Sequence, residues 1–152
     1  MTITRFCIVR HGETDWNAEK RLQGQIDISL NAVGQAQAMA LRAHLKKAPP
    51  FTAVYSSDLA RAWHTAQIAT TDLGLAVSPA PSFRERHYGT HQGLTSAEAA
   101  HAHPAMYHLH QARDLHYTYD TGESLAAFAA RIQHELSTLA EQHCGQTVLI
   151  FT

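Results

Sequence analysis

Three groups of polar residues in this sequence have the types and spacing that chemistry on an anion would need. The first is the tripeptide Arg10-His11-Gly12, which directly follows the apolar run from Phe6 to Val9. A guanidinium matches phosphate oxygens with a planar pair of donors, and a glycine lets the backbone approach a ligand closely. A histidine beside a fixed cation is biased toward its neutral, nucleophilic form. The tripeptide therefore indicates a phosphate site with a nucleophile, although taken alone it is more often a polar strand exit.

The second group supplies further donors for the same anion. Asn17 adds an amide, and the segment 21–24 adds a guanidinium, the amide of Gln23 and the exposed backbone of Gly24. Arg61 follows a second short apolar segment near the start of a predicted helix, and its side chain would tilt toward the amino end of that helix. Singly, each is an ordinary loop or helix residue. With Arg10 of the tripeptide, Arg61 places a second cation at the same edge of the predicted sheet.

The third group surrounds Glu85, in the segment 83–89. Cleavage of a phosphate monoester needs a proton for the leaving alkoxide, and a carboxyl group can supply it. Position alone leaves that role open. Glu123, in Gly122-Glu123-Ser124, is predicted instead to be structural, since the dipole of a helix favours a glutamate in its first turn.

The elements that must position these residues alternate between strands and helices. The run from Phe6 to Val9 lacks polar alternation, which favours a strand buried on both faces. Such an order is typical of an α/β fold with a mainly parallel sheet and with ligand sites beyond the carboxyl ends of the strands. The predicted strands are 3–9, 53–56, 75–78 and 148–152. The first two predicted helices run from an Asn31 cap to about Lys47 and from a Ser57 cap to Gly74. The other two run from a Thr95–Glu98 capping box into a histidine-rich stretch and from Leu125 to Gly145.

Length and composition limit the classes of function that this chain could have. A chain of 152 residues has the size of one ordinary domain, and its 45% hydrophobic residues are enough for one core. The net charge of −1 gives no field that would recruit nucleic acid or an anionic membrane, so we expect neither as a partner. No apolar run has the length of a membrane span, and the first ten residues lack the pattern of a signal peptide. A cytoplasmic location is therefore expected.

Histidine is unusually frequent, with 12 residues, and five of them lie between His101 and His116. A transition-metal site is the alternative that this composition suggests. The pairs His101 with His108 and His103 with His110 are two helical turns apart, whereas metal-binding helices use a spacing near four residues. We therefore expect no metal site and interpret the stretch as a solvated helix face.

Taken together, the motifs resemble the histidine phosphatase superfamily, also called the phosphoglycerate mutase-like family. The resemblance implies a three-layer α/β sandwich, with a mainly parallel central sheet and helices on both faces. The matching positions follow the order of the family and cover nearly the whole chain: 10–14, Asn17, 21–24, Asp27, 30–31, Gly34, 56–59, 61–62, 65–66, Glu85, Gly89 and 122–124.

The same resemblance implies the roles of the site residues. His11 would be the nucleophile that becomes phosphohistidine, Arg10 and Arg61 would hold the phosphoryl oxygens, and Glu85 would donate the proton. No metal and no cofactor are implied, because arginines and backbone dipoles would neutralise the transferred group. The residues implied to line the phosphate pocket with the arginines are Asn17, Gln23 and Gly24.

The sequence departs from the family pattern at its end. Relatives carry a second histidine, in a His-Gly pair directly after a strand resembling 148–152, and then continue with further helix and strand. This sequence ends at Thr152. We therefore expect one domain over 1–152 that lacks its C-terminal part, and strongly impaired turnover.

Three functions remain open at this point. The favoured one is a phosphatase that hydrolyses a small phosphorylated metabolite, since the short spacing between Glu85 and Glu123 resembles the broad phosphatase branch of the family. A phosphoglycerate mutase-type enzyme is the first alternative, because the segment 85–89 resembles the mutase branch. A non-catalytic phosphate-binding protein is the second, because the second histidine is absent. Neither the natural substrate nor the oligomeric state can be read from these residues.

Overall fold

A parallel sheet of four strands forms the centre of the computed structural model, which describes residues 3–152. The strand order is β1-β4-β2-β3. The strands are β1 (Arg5–Val9), β2 (Ala53–Ser56), β3 (Val77–Pro79) and β4 (Thr147–Phe151). The helices are α1 (Asp15–Ala18), α2 (Ala32–Leu45), α3 (Ala60–Ala69), α4 (Ser96–Ala102), α5 (Pro104–Gln111) and α6 (Leu125–Gln142), with two short 3-10 helices at Pro81–Phe83 and Gly89–His91.

The position of a strand in the sheet decides how much of it is buried. β4 pairs with β1 on one side and β2 on the other, and its apolar run 148–151 is at most 1% exposed. β1 has a similar apolar run but lies at the edge of the sheet, and its Ile8 is 60% exposed. The expectation that β1 is buried on both faces is therefore wrong, because Ile8 lines an apolar groove beside Ile132 and Leu136 of α6 and does not pack beneath the helix.

Helices cover both faces of the sheet, as the sequence predicted. On one face, Leu45 of α2 and Ala66 of α3 pack with Leu149 and Phe151 of β4. On the other, Leu139 of α6 packs with alternate residues of the same strand, 148 and 150. The result is the predicted three-layer α/β arrangement.

Capping residues mark the starts of the helices. The Asn31 side chain accepts a hydrogen bond from the backbone N–H of Gly34, so α2 begins where predicted, although it ends at Leu45. The predicted capping box at α4 is also confirmed, with Thr95 and Glu98 each accepting from the other's backbone N–H.

The start of α3 differs from the prediction. Ser57 is not its cap, since the helix begins after Leu59, and Asp58 is therefore not in its first turn. The backbone N–H of Ala60 instead donates to Asp27, which lies 33 residues away, at 2.7 Å. The predicted Ser57 cap is therefore replaced by a carboxylate from a distant loop.

The histidine-rich stretch folds as two short helices. α4 ends before His103, and Pro104 opens α5, since a proline disfavours a helical conformation in the residue before it. His101, His108 and His116 are exposed. The solvated-face interpretation is wrong for two other histidines of the stretch, because His103 and His110 pack against His91 and Tyr119.

The helices described within residues 3–152 include none with the length and hydrophobicity of a membrane span.

Candidate active site

One cavity of about 550 Å³ lies beyond the carboxyl ends of β1, β2 and β4. All seven residues predicted for the site line it, which places the two arginines, the histidine and the glutamate around one space. Those seven residues are Arg10, His11, Asn17, Gln23, Gly24, Arg61 and Glu85.

The backbone after β1 fixes the His11 side chain. The His11 backbone N–H donates to the carbonyl oxygen of Thr152 at 2.7 Å, so the chain after β1 stays beside the end of β4. The ring nitrogen Nδ1 lies 2.6 Å from the carbonyl oxygen of Gly12. Because a carbonyl oxygen can only accept, Nδ1 carries the proton and Nε2 keeps its lone pair. The imidazole is therefore held in a nucleophilic tautomer.

The surroundings of His11 also favour its neutral form. The pKa of His11 is lowered from 6.5 to about 4, chiefly by burial; the bond to Gly12 raises it, and the positive charges of Arg61 and Arg10 lower it. A proton on this ring would lose water contacts and would face two cations. The ring is consequently neutral at neutral pH.

Two glycines let α2 approach the loop that carries His11. A Cβ atom on Gly12 would lie 2.5 Å from the carbonyl oxygen of Gly34, and one on Gly34 would lie 2.1 Å from that of Glu13. The Gly12 N–H donates to the Thr65 hydroxyl of α3 at 3.0 Å. Glycine is therefore required at both positions by a close backbone approach, which holds the loop against two helices.

Arg61 is held from the opposite side of the cavity. Its guanidinium donates to the carbonyl oxygens of Gly24 at 2.6 Å and Ile26 at 3.0 Å, and the residue is only 2% exposed. Burial lowers the pKa of Arg61, yet arginine stays charged at any physiological pH. Among residues 3–152, neither Arg10 nor Arg61 forms an ion pair with a carboxylate. Both charges are thus available to an anion.

A capping box shapes the loop between the two arginines. The side chain of Asn17 accepts from the N–H and hydroxyl of Thr14, which leaves its amide NH₂ as the donor end. The Thr14 hydroxyl also contacts Oε1 of Gln23 at 2.8 Å. Gly24 follows with a φ of +54°, a conformation in which glycine is favoured. Local turn chemistry therefore carries three of the predicted phosphate ligands.

Glu85 lies in an irregular segment between the two 3-10 helices. Its side chain is exposed, and Oε1 accepts from the backbone N–H of Arg86 at 2.6 Å. The neighbouring Arg84 forms a two-bond ion pair with Asp58, which ties this segment to the end of β2.

Some lining residues were missed by the sequence reasoning. Tyr88, Phe128 and Ser57 also line the cavity, although Ser57 had been predicted as a helix cap. Burial raises the pKa of Tyr88 to about 12, so its hydroxyl stays protonated. Tyr88 lies three residues after Glu85, which is the one signal in the sequence that could have indicated it.

The sequence of this chain also matches the sequence model of a known protein family. The model of the histidine phosphatase superfamily (branch 1) matches residues 6–152. The chain belongs to the histidine phosphatase superfamily. The resemblance found in the sequence motifs is thereby confirmed.

Curated relatives and solved structures extend this assignment. The chain is 42% identical, over 99% of its length, to the metal-independent phosphoserine phosphatase of Arabidopsis thaliana. It is 38% identical, over 95% of its length, to phosphoglycerate mutase-like protein 4 of the same plant. The chain spans 64% of the length of each of these proteins. A structure of mycobacterial glucosyl-3-phosphoglycerate phosphatase in complex with VO3 matches with a TM-score of 0.85 and 34% identity, over 95% of this chain and 72% of that one.

Metal-ligating side chains do not gather in the described part of the chain. Within residues 3–152, no group of three or more histidine, cysteine, aspartate or glutamate side chains could hold a metal ion. The positive charge lining the cavity comes from arginine side chains.

Proposed function

We propose that this protein hydrolyses a small phosphomonoester through a phosphohistidine formed on His11. The observation that carries the proposal is the bond from Nδ1 of His11 to Gly12, which leaves Nε2 unprotonated in a cavity where Arg10 and Arg61 have no carboxylate partner among the described residues. Such a nitrogen is a nucleophile, and the arginines match the oxygens of a phosphoryl group. The names of two relatives, phosphoserine phosphatase and glucosyl-3-phosphoglycerate phosphatase, support the same substrate class.

In the first step, Nε2 of His11 forms a bond to phosphorus while the bond from phosphorus to the leaving oxygen breaks. Arg10 and Arg61 stabilise the charge on the three other oxygens through their N–H donors. The Glu85 carboxyl gives its proton to the leaving oxygen, which departs as an alcohol. The remaining proposed phosphate contacts are Asn17, Gln23 and Gly24.

In the second step, water attacks the phosphorus of phosphohistidine, and the electron pair of the broken N–P bond returns to His11. The Glu85 carboxylate accepts a proton from the attacking water, which restores both groups and releases inorganic phosphate. The exposed side chain of Glu85 gives water access to this position. This access favours hydrolysis over a mutase, which must keep water from the intermediate.

The test is the intact mass of the chain after brief incubation with phenyl phosphate, quenched in alkali because phosphohistidine is labile in acid. We expect a gain of one phosphoryl group in the unchanged chain and in His134→Asn, which alters an exposed histidine of α6, but none in His11→Asn. Release of inorganic phosphate in excess of protein would then support a phosphatase. Transfer to an added alcohol in place of water would identify a mutase.

A phosphate-binding protein without catalysis gives a different result. In that case, calorimetry would show inorganic phosphate binding while no variant gains mass, which would overturn the proposal. Nucleic acid and membranes are not proposed as partners, and a cytoplasmic location stays a prediction for fractionation to test.

A further inference from the structure

The ion pair between Glu123 and Arg131 lies outside the cavity lining, yet it binds the segment that carries Glu85. Nε and Nη2 of Arg131 donate to the two carboxylate oxygens of Glu123 at 2.9 and 2.8 Å. Nη1 of the same guanidinium donates to the carbonyl oxygens of Ser82 at 2.6 Å and Arg84 at 3.0 Å. One side chain of α6 therefore holds the backbone immediately before Glu85.

Glu123 holds the backbone immediately after Glu85. Its Oε2 accepts from the N–H of His87 at 3.0 Å, and its own backbone N–H donates to the His87 carbonyl oxygen at 2.9 Å. The two side chains of the pair are only 24% and 22% exposed, so water competes less for these bonds than it would on an open surface. The segment 82–87 is thus bound on both sides of Glu85 by one ion pair.

The segment that carries Glu85 has no regular secondary structure, and the bonds of this ion pair help to hold it. Residues 84–88 form neither helix nor strand, so no regular ladder of backbone bonds fixes the Glu85 Cα position. The planar guanidinium offers five donors in a rigid fork, which suits it to bind a carboxylate and several carbonyl oxygens at once. The backbone around Glu85 is therefore held by side-chain bonds, and Arg131 contributes to it together with the Arg84–Asp58 pair and the bond from Gln25 to the Glu85 carbonyl oxygen.

We propose that Arg131 and Glu123 are a positioning pair that sets the Glu85 carboxyl at the distance needed for proton transfer to the leaving oxygen. This inference rests on the proposed function, in which Glu85 is the proton donor. Neither partner lines the cavity, so both act through the backbone of 82–87. A displacement of about 1 Å at a catalytic group is enough to reduce a rate by about a hundredfold.

The experiment compares two leaving groups in the same variant. Para-nitrophenyl phosphate releases a stable phenolate that needs no proton, whereas glycerol phosphate releases an alkoxide that does. We expect Arg131→Gln to lower kcat/KM for glycerol phosphate by about tenfold to a hundredfold and for para-nitrophenyl phosphate by less than about threefold. Since partial unfolding lowers both rates equally, the ratio of the two rates reports the position of the acid.

Three further variants calibrate that ratio. Glu85→Gln removes the acid itself and should change the ratio at least as strongly as Arg131→Gln. Arg131→Lys keeps the charge but not the fork, so it should restore the ratio only in part. Arg42→Gln is the matched control, because Arg42 forms a similar two-bond ion pair with Asp72 away from the cavity, and it should leave the ratio unchanged.

The outcomes separate the positioning role from the proposed function. A changed ratio in Glu85→Gln together with an unchanged ratio in Arg131→Gln would overturn the positioning role alone. An unchanged ratio in Glu85→Gln would overturn the acid role and the positioning role together. Where Arg131→Gln does not fold, Glu123→Gln gives the same comparison, since it weakens the pair while keeping an oxygen for the His87 N–H.

Discussion

The half-buried, neutral state of His11 predicts that this residue makes the fold sensitive to acid. Its pKa is about 4 in the folded chain, against 6.5 for an ordinary histidine. Between these two values the unfolded chain binds a proton at this position and the folded chain does not. The contribution of His11 to the free energy of unfolding is therefore fully present above pH 6.5 and is lost progressively as the pH falls toward 4.

The size of the effect follows from the two pKa values. At pH 5 an unfolded histidine is almost fully protonated, whereas His11 in the folded chain is protonated in about a tenth of the molecules. Relative to pH 7, this difference removes about 2 kcal/mol of unfolding free energy. His11→Asn cannot bind the proton, so it should lose about 2 kcal/mol less than the unchanged chain over the same interval.

Urea unfolding followed by the fluorescence of Trp16 and Trp63, at pH 7 and pH 5, measures the required free energies. The other histidines titrate equally in both proteins, so their effects cancel in the difference between the two losses. His134→Asn controls for the removal of one exposed histidine and should behave like the unchanged chain. Equal losses in His11→Asn and the unchanged chain would refute the conclusion that His11 is held neutral by burial and by its arginine neighbours.

Three other substitutions have expected effects on stability. His91 is fully buried, its ring nitrogens have no hydrogen-bond partner among the described residues, and burial lowers its pKa. In urea unfolding, His91→Phe should therefore raise the free energy of unfolding by about 1 kcal/mol at pH 7 and by more at pH 5. Leu139→Ala should cost 2 to 5 kcal/mol, roughly, since Leu139 joins α6 to the sheet and is 2% exposed. Gly34→Ala should cost about 1 to 3 kcal/mol and slow His11 phosphorylation in the mass assay, because its Cβ would meet the Glu13 carbonyl oxygen. Its control, Gly74→Ala, meets open space and should cost only about 1 kcal/mol, through its φ of +67°, with phosphorylation unchanged.

Features encoded within a few residues were predictable. The capping box of α4 needs only Thr95 and Glu98, and the Asn31 cap needs only the residue three positions on, so both helix starts could be located from the sequence. The cavity residues could be grouped because they follow strands whose carboxyl ends meet at one edge of a parallel sheet.

Features that depend on distant partners were not predictable from local pattern. At the start of α3, the Ala60 backbone N–H donates to Asp27, which lies 33 residues earlier in the chain. Sequence pattern could not indicate so distant a partner, and Ser57 was the nearest plausible cap. The exposure of Ile8 depends on where α6 lies across the sheet, which is set by tertiary packing and not by the apolar run itself.

Two of the errors concern residues whose local signals were present. Pro104 opens α5 and marks the break in the histidine-rich stretch, a signal that the helix prediction did not use. Glu123 was expected in the first turn of α6, but Ser124 is the cap, so the glutamate lies before the helix. Its role there comes from Arg131, eight residues later and two turns along the helix, a separation at which sequence spacing alone does not indicate contact.

The two sides of the proposed reaction have different kinds of support. His11 is fixed by backbone bonds to Gly12 and to the end of β4, and by the close contact of its loop with α2, so it moves only if the core of the sheet moves. The segment that carries Glu85 is fixed by side-chain bonds, mainly those of the Glu123–Arg131 and Arg84–Asp58 ion pairs. Because opening a side-chain contact costs less than opening a sheet, the acid should be displaced more readily than the nucleophile. Variation near 82–87 and Arg131 would therefore change which leaving groups this site accepts while the phosphate site itself persists.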